Sequence, residues 1–153
     1  MRHRTPPSIE VRNVQRTLRV STGSLQRFAN TASALVWEHK RPRAEIASVP
    51  EITVLIVSDR RMATLHQEFC GLAGPTDVLT FRHGEIVISA ETAARQAKMF
   101  RSSLAGEIRL YLLHGLLHLL GYDHESDDGK MARAETRLRR QAGLPEGLIE
   151  RQK

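Results

Sequence analysis

Residues 114–124 read His-Gly-Leu-Leu-His-Leu-Leu-Gly-Tyr-Asp-His, which places three imidazoles at offsets of 0, 4 and 10. Two histidines four residues apart lie on one face of a helix and can bind one ion together. Gly121 gives the backbone freedom to turn, so that His124 can return toward the same ion. Three neutral imidazoles leave one position of a tetrahedral ion open, as in catalytic zinc sites. The stretch therefore predicts a reactive metal site with His114, His118 and His124 as ligands.

The same stretch predicts a buried helix around the imidazoles. It carries four leucines among the histidines: Leu116, Leu117, Leu119 and Leu120. Two helical histidines with this spacing also occur as ordinary core residues, but a third histidine after a glycine favours a metal site. Uncoordinated imidazoles in apolar surroundings carry a desolvation cost, which coordination removes. Zinc, one ion per chain, best suits imidazole ligands with an open position.

Length and composition indicate a single domain over residues 1–153. The contents of hydrophobic (41%) and charged (26%) residues are those of an ordinary globular protein, and no apolar stretch approaches the roughly 18 residues of a membrane span. Residues 1–7 are charged without an apolar segment behind them, so we expect a disordered start rather than a secretory signal. Cys70, the one cysteine, excludes an internal disulfide and fits a cytoplasmic location.

The formal net charge of +6 favours a polyanionic partner. Nucleic acid is favoured over a membrane, because no strongly apolar amphipathic face accompanies the charge. Aromatic residues make up 5% of the chain, so phosphate contacts should outweigh base stacking in any RNA binding. The last predicted helix has a basic edge, which Glu135 interrupts and which we expect to be a solvated face. Its cations are Arg133, Arg137, Arg139 and Arg140.

Hydrophobic periodicity and turn residues predict the order of elements. Strands are expected at 8–14, 52–57, 78–81 and 85–89. Helices are expected at 24–39 with Ser24 as cap, from Asp59 to 69, from 89 or 90 to 100, from 102 or 103 to 120, and from 127 or 128 to 141. This order predicts an α+β fold, in which a small mixed sheet packs against several helices and the metal site lies on the long helix and the following turn.

A metal ion with an open position predicts metal-assisted hydrolysis, with metal-bound water as the attacking group. The ligand spacing is zincin-like, since metzincin proteases also use His-x-x-x-His-x-x-Gly-x-x-His. Those enzymes have a glutamate directly after the first histidine as general base, whereas this chain has Gly115. Proton transfer commonly contributes 10²–10⁴-fold in rate. Gly115 therefore argues against proteolysis.

Three segments of the chain resemble the YbeY family, bacterial endoribonucleases of ribosomal RNA maturation. Residues 114–124 resemble the family signature, and residues 75–81 (Pro-Thr-Asp-Val-Leu-Thr-Phe) are similar to its Thr-Asp-Val-Leu-Ser-Phe segment. Residues 84–89 (Gly-Glu-Ile-Val-Ile-Ser) are similar to its Gly-Asp-Ile-Val-Ile-Ser strand. Met131 also falls where the family tends to have methionine. The resemblance runs from about residue 65 to residue 138 in the same order and spacing.

The resemblance implies a zinc-dependent, single-strand-specific endoribonuclease that processes the 3′ end of small-subunit ribosomal RNA and takes part in ribosome quality control. Its partners would be ribosomal RNA and the small ribosomal subunit, with no membrane involved. It also implies that His114, His118 and His124 are the ligands. Two alternatives stay open: a ribosome-assembly factor with a structural zinc and little catalysis, and a metallopeptidase on ligand spacing alone.

The chain departs from the family at Cys70, where a functional arginine usually precedes the Thr-Asp segment. An arginine at a phosphodiester site pairs with phosphate and offsets charge in the transition state, which cysteine does not do. Arg82 or Arg60 could replace that guanidinium, Cys70 could ligate the metal, or Cys70 could be a small buried thiol without a chemical role. We expect Cys70, Thr76 and Asp77 to line the substrate groove.

No general base is identified by the sequence, and two carboxylates are candidates for a catalytic role. Asp123, beside His124, is either an acceptor for an imidazole N–H or a cap at the end of the helix. Glu85 either faces the cleft or is solvated at the edge of its strand. His83 lies in the connection between two strands and is a further candidate for reaching the site.

Overall fold

A computed structural model of the chain describes residues 5–39, 49–122 and 128–152. The strands are β1 (Ser8–Asn13), β2 (Glu51–Val57), β3 (Val78–Phe81) and β4 (Glu85–Ser89). The helices are α1 (Thr22–Trp37), α2 (Asp59–Cys70), α3 (Ala90–Met99), α4 (Leu104–Leu119) and α5 (Lys130–Gln141), followed by a 3₁₀ turn at Glu150–Gln152. The predicted α+β class is confirmed. Over these ranges, no helix combines the length and apolar character that crossing a membrane requires.

The four strands form one mixed sheet in the order β1-β2-β4-β3. β1, β2 and β4 are parallel, whereas β3 returns antiparallel beside β4. The central strand β2 is a run of β-branched and aliphatic residues, and Ile52, Val54 and Ile56 have no exposed surface. Such a run is typical of a parallel strand in the interior of a sheet. The mixed sheet predicted from the sequence is therefore confirmed.

Helix α4 lies in the centre of the molecule because almost all of its surface is apolar. It packs against the sheet at β3 and β4 and against α1, α3 and α5. Leu116 and Leu117 are fully buried, as the leucine pattern predicted. A Cβ at Gly115 would lie 2.9 Å from Cγ2 of Ile86 in β4. The glycine therefore allows the end of α4 that carries the histidines to approach the sheet closely.

Two predicted helix starts are wrong, for reasons of local backbone geometry. Ser21 caps α1, since its hydroxyl accepts a hydrogen bond from the Ser24 N–H at 3.4 Å, so the helix begins a turn earlier than predicted. Asp128 and Gly129 both have positive φ, 55° and 82°, which is incompatible with an α-helix. The last helix therefore begins at Lys130 rather than at residue 127 or 128. Residue 127 itself lies outside the described residues.

The predicted disordered start is described only from residue 5 onward. Residues 1–4 lie outside the described residues. Pro7 is buried, and its carbonyl accepts a hydrogen bond from the Ser33 hydroxyl in α1 at 3.1 Å. The chain is therefore anchored against α1 just before β1 begins.

The C-terminal segment folds back across the helices and is held by a buried ion pair. Arg151 donates two hydrogen bonds to Glu107 near the start of α4, at 2.6 and 2.9 Å. Its guanidinium also lies 4.0 Å from the ring centroid of Phe100. Burial opposes ionisation of Glu107, but hydrogen bonds from Arg151 and Ser102 outweigh it, so the pKa of Glu107 lies below its ordinary value. The pair anchors the C-terminal segment to the core.

We expect Gly115→Ala to destabilise the fold by about 1–3 kcal/mol, because the added methyl group would overpack the contact with Ile86. Gly23→Ala in α1 is the matched control, since its new Cβ would meet only the end of the Arg27 side chain at 3.7 Å. Urea unfolding of both variants measures the difference. An equal or higher free energy of unfolding for Gly115→Ala would contradict the close packing of α4 on β4.

We expect Arg151→Met to lower the free energy of unfolding by about 3–5 kcal/mol at neutral pH, because Glu107 would remain buried without its partner. The folded-state pKa of Glu107 is lowered, so the pair stabilises the protein at neutral pH and this contribution is lost as the pH falls below about 4. The cost of the variant should shrink over the same range in urea titrations. The double variant Glu107→Leu/Arg151→Met should be more stable than Arg151→Met, and a less stable double variant would contradict this account.

Candidate functional site

The last turns of α4 bring His114 and His118 together. Their Nε2 atoms are 3.2 Å apart, and the two rings meet edge to face with centroids 4.8 Å apart. His114 is buried, with 7% of its surface exposed. This placement follows from the helical spacing of four residues, as the sequence predicted. Both rings face a cavity of about 470 Å³.

Each ring is held on its other side by a hydrogen-bond acceptor. The Nδ1 of His114 lies 2.5 Å from Oε2 of Glu135, which reaches in from α5 and has no exposed surface. The Nδ1 of His118 lies 3.2 Å from the carbonyl oxygen of Tyr122. A carbonyl oxygen and a carboxylate both accept, so Nδ1 is the donor in each ring. In the neutral imidazoles, each Nε2 then carries the lone pair.

The turn at Gly121 positions the acceptor for His118. Gly121 has φ +92°, its N–H donates to the His118 carbonyl at 2.9 Å, and the Tyr122 N–H donates to the Leu117 carbonyl at 3.3 Å. These two bonds form a Schellman motif, which ends a helix and reverses the chain. The predicted helix end at Gly121 is confirmed. The reversal brings the Tyr122 carbonyl oxygen within 3.2 Å of Nδ1 of His118.

The donor geometry fits a metal ion between the two imidazoles. Nitrogens bound to one tetrahedral zinc at about 2.0–2.1 Å lie about 3.3 Å apart, close to the 3.2 Å between these two Nε2 atoms. A cation between the two rings would be bound by the lone pairs of both nitrogens. His124, the third predicted ligand, lies outside the described residues, as does Asp123. Within the described ranges, no group of three or more histidines, cysteines, aspartates or glutamates forms a metal site.

The cavity is also lined by charged groups of both signs. It is bordered by β3 with the residues around it, the end of α4, the Gly121 turn and the C-terminal segment. Among the described residues that line the cavity, Arg82 contributes a guanidinium group and Asp77 contributes a carboxylate. Oδ1 of Asp77 accepts the Val78 N–H at 2.7 Å, so Asp77 also orders the start of β3. A guanidinium that lines the same cavity as two imidazoles can contribute to binding a phosphate.

Comparison with known proteins identifies the family. Residues 10–143 match the family model described as Endoribonuclease YbeY. The chain belongs to this family. A relative named Endoribonuclease YbeY from an Anaeromyxobacter species is 46% identical over 106 residues, which is 61% of this chain and 55% of that protein. Another from Solibacter usitatus is 38% identical over 149 residues, 94% of this chain and 93% of that protein.

A solved structure has a similar fold. The solution structure of TM1509 from Thermotoga maritima matches with a TM-score of 0.56 and 27% identity, covering 84% of this chain and 85% of that one. The resemblance predicted from the sequence is therefore confirmed. Membership of the family also supports the prediction that the chain is a hydrolytic endoribonuclease.

Cys70, which stands where the resemblance predicts an arginine, is the last residue of α2. Its side chain is exposed, so the prediction of a small buried thiol is wrong. The reason is that α2 ends there, with Gly71 in the left-handed conformation as its cap. Cys70 and Thr76 are absent from the described residues that line the cavity, whereas Asp77 lines it. Thr76 instead lies beside Asp77, with its hydroxyl 3.4 Å from Oδ1.

Two further candidates, Glu85 and His83, lie outside the described lining of the cavity. Oε2 of Glu85 is 3.5 Å from Nε2 of His83, whose side chain is 72% exposed. The ring of His83 also stacks on Phe81 at a centroid distance of 5.9 Å. The two side chains therefore pair with each other at the β3–β4 connection.

Glu135 has an environment that the sequence predicted wrongly. It was expected to interrupt a solvated basic edge, but it is buried and its other oxygen accepts the Ile149 N–H at 3.0 Å. The spacing contains a signal that would have found it. Met131, Glu135 and Leu138 lie at i, i+4 and i+7, so the glutamate is on the apolar face of α5. A carboxylate on such a face needs a buried partner, and His114 is that partner.

Proposed function

We propose that this chain is a zinc-dependent, single-strand-specific endoribonuclease that processes the 3′ end of small-subunit ribosomal RNA in the cytoplasm and contributes to ribosome quality control. Membership of the YbeY family supports the RNA substrate. The net charge of +6 suits a polyanion. The observation that carries the zinc dependence is the convergence of the two Nε2 atoms at 3.2 Å.

In this proposal His114, His118 and His124 hold the zinc. A zinc ion held by three imidazoles supplies Lewis acidity toward a phosphoryl oxygen and lowers the pKa of water to about 7. Glu135 and the Tyr122 carbonyl fix the orientation of the first two rings through their Nδ1 atoms. Such supporting hydrogen bonds keep ligand nitrogens directed at the metal and raise their basicity. The burial of His114 and Glu135 excludes water that would compete for these bonds.

Arg82 takes the role of the missing family arginine. It lines the same cavity as His114 and His118, and it directly follows β3, of which Val78, Leu79 and Thr80 also line the cavity. A planar guanidinium can pair with two oxygens of a phosphodiester and offset the charge that develops during cleavage. Arg60 is exposed near the start of α2 and is absent from the described lining of the cavity. Arg82 is therefore the better of the two substitutes for the arginine replaced by Cys70.

A second candidate function is a ribosome-assembly factor with a structural zinc and little catalysis. Cys70 in place of the family arginine favours it. Peptidase activity has less support, because a side chain at position 115 would meet Ile86 rather than face the cavity. Incubating the protein with precursor ribosomal RNA and with casein, with and without chelator, separates the three. Chelator-sensitive RNA cleavage supports the nuclease, RNA binding without cleavage supports the assembly factor, and casein cleavage supports the peptidase.

We expect removal of zinc, or the substitution His114→Ala, to abolish cleavage of single-stranded RNA. Glu135→Gln should weaken zinc affinity by about 10–100-fold, because the neutral amide supports His114 less well. Competition with a chromogenic chelator measures that affinity. Glu85→Gln is the control, since this carboxylate lies outside the described lining of the cavity and should leave zinc affinity unchanged. Equal zinc affinity for Glu135→Gln and the wild type would contradict the supporting role of Glu135.

We expect Arg82→Ala to reduce kcat for RNA cleavage by about 10²-fold or more, because one donor to the transition state is lost. Arg82→Lys should recover only part of the rate, since an ammonium group does not pair bidentately. Arg60→Ala is the matched control and should change kcat little. Steady-state cleavage of a labelled oligonucleotide measures all three. Loss of activity in Arg60→Ala but not in Arg82→Ala would reverse the assignment.

We expect Cys70→Ser to keep both wild-type RNA cleavage and wild-type zinc content, because the exposed thiol lies outside the described cavity lining. Cys70→Arg restores the residue that the resemblance predicts and should raise the cleavage rate of Arg82→Ala, because the longer side chain supplies a guanidinium from the end of α2. Metal analysis and cleavage assays on the same preparations measure both effects. Loss of zinc in Cys70→Ser would show that the thiol is a ligand and would contradict the three-imidazole site.

A further inference from the structure

One face of α5 is a line of exposed cations, which we call the α5 stripe. It consists of Lys130, Arg133, Arg137 and Arg140, at positions i, i+3, i+7 and i+10 of the helix. This spacing keeps all four side chains on one side. Over ten residues the helix rises about 15 Å, so the stripe is an extended positive surface. The opposite face of α5 is buried and carries Met131, Ala134 and Leu138.

The cations of the stripe lack carboxylate partners among the described residues. Arg133 donates to the backbone carbonyl of Asp128 at 3.2 Å, a contact that leaves its charge uncompensated. Arg139, which lies off this face, differs: it pairs with Glu150 through two hydrogen bonds of 2.8 Å. The one glutamate of α5, Glu135, faces the core. The predicted solvated face of α5 is therefore exposed, and it carries four positive charges in a line.

The stripe and the cavity of the paired imidazoles have Tyr122 as a common neighbour. A shallow cavity of about 390 Å³ is bordered by Arg133, Arg137 and Arg140, and a second one of about 320 Å³ by Tyr122, Lys130, Arg133 and Arg137. Tyr122 also lines the cavity that contains the two histidines. The surface depressions along α5 therefore reach Tyr122, which also borders the cavity of the paired imidazoles.

We propose that the α5 stripe binds the phosphate backbone of the RNA strand that flanks the cleavage site. The inference rests on the proposed nuclease function and adds the path of the substrate to it. Arginine pairs with phosphate in a bidentate manner, and phosphate contacts hold a strand without reading its sequence. A membrane is disfavoured as the anion, because the apolar face of α5 is already buried in the core. Loss of the stripe should therefore weaken the binding of long RNA substrates more than the binding of short ones.

The test compares two triple variants with the same loss of charge. Arg133→Gln/Arg137→Gln/Arg140→Gln removes most of the stripe, and Arg16→Gln/Arg19→Gln/Arg27→Gln removes three exposed arginines from the part of the chain around α1. α1 packs on β1, at the edge of the sheet opposite β3, so the control lies away from the cavity. Fluorescence anisotropy with nuclease-resistant 2′-O-methyl oligonucleotides measures Kd over a range of salt concentrations. One oligonucleotide spans about 12 nucleotides and the other only about 3, which is enough for the cavity.

For the long oligonucleotide, we expect the stripe variant to raise Kd about tenfold or more and to reduce the slope of log K against log salt by about 2. Its Kd for the short oligonucleotide should be unchanged, and the control variant should affect both much less. Equal weakening by the two variants would overturn the inference, because net charge alone would explain it. Stripe-dependent binding to phosphatidylserine vesicles, without a change in RNA affinity, would also overturn it.

The same variants separate this inference from the proposed function. If the wild type cleaves RNA and the stripe variant binds the long oligonucleotide as tightly as the wild type does, the α5 stripe is refuted while the nuclease stands. If the wild type cleaves no RNA under conditions in which its zinc is bound, the proposed nuclease is refuted. Retained cleavage of a short substrate by the stripe variant, together with slower cleavage of a long one, supports both.

Discussion

The hydrogen bond between Glu135 and His114 joins two packed helices and also orients an imidazole of the candidate metal site. A fully buried carboxylate is costly unless its oxygens are satisfied, and here one oxygen accepts from His114 and the other from the Ile149 N–H. The single carboxylate therefore links α4, α5 and the C-terminal segment. The packing of α5 against α4 is what fixes the orientation of the imidazole. Stability and the geometry of the site depend on the same contact.

The position of α4 imposes the second constraint. A helix that is apolar on nearly all sides lies in the core, and its last turns bring two imidazoles to the wall of a cavity. Gly115 allows that helix to approach β4, and Gly121 ends it where the Tyr122 carbonyl can hold His118. Gly115 thus has a packing role. It also stands where metzincin proteases have the glutamate that acts as general base.

The strands and the α+β class were predictable because runs of β-branched residues and the alternation of apolar and polar residues are local signals. Tertiary packing does not change these signals. Helix starts were less predictable, since Ser21 and Ser24 are both plausible caps and only the backbone decides between them. Glu135 was misread because its neighbours in sequence are arginines, whereas its neighbours in space are His114 and the C-terminal segment. The exposure of Cys70 likewise depends on where α2 ends. Tertiary contacts decided the case of Glu135, whereas local backbone geometry decided the helix starts and the exposure of Cys70.

We propose that imidazole nitrogens alone, among the protein's side chains, would bind zinc in this YbeY family member. X-ray absorption spectroscopy at the zinc edge of the purified, zinc-loaded protein tests it most directly. The account predicts a first shell of nitrogen and oxygen at about 2.0–2.1 Å, with the multiple-scattering pattern of imidazole rings. A sulfur scatterer at about 2.3 Å would show that the Cys70 thiolate is a ligand, and it would contradict the account.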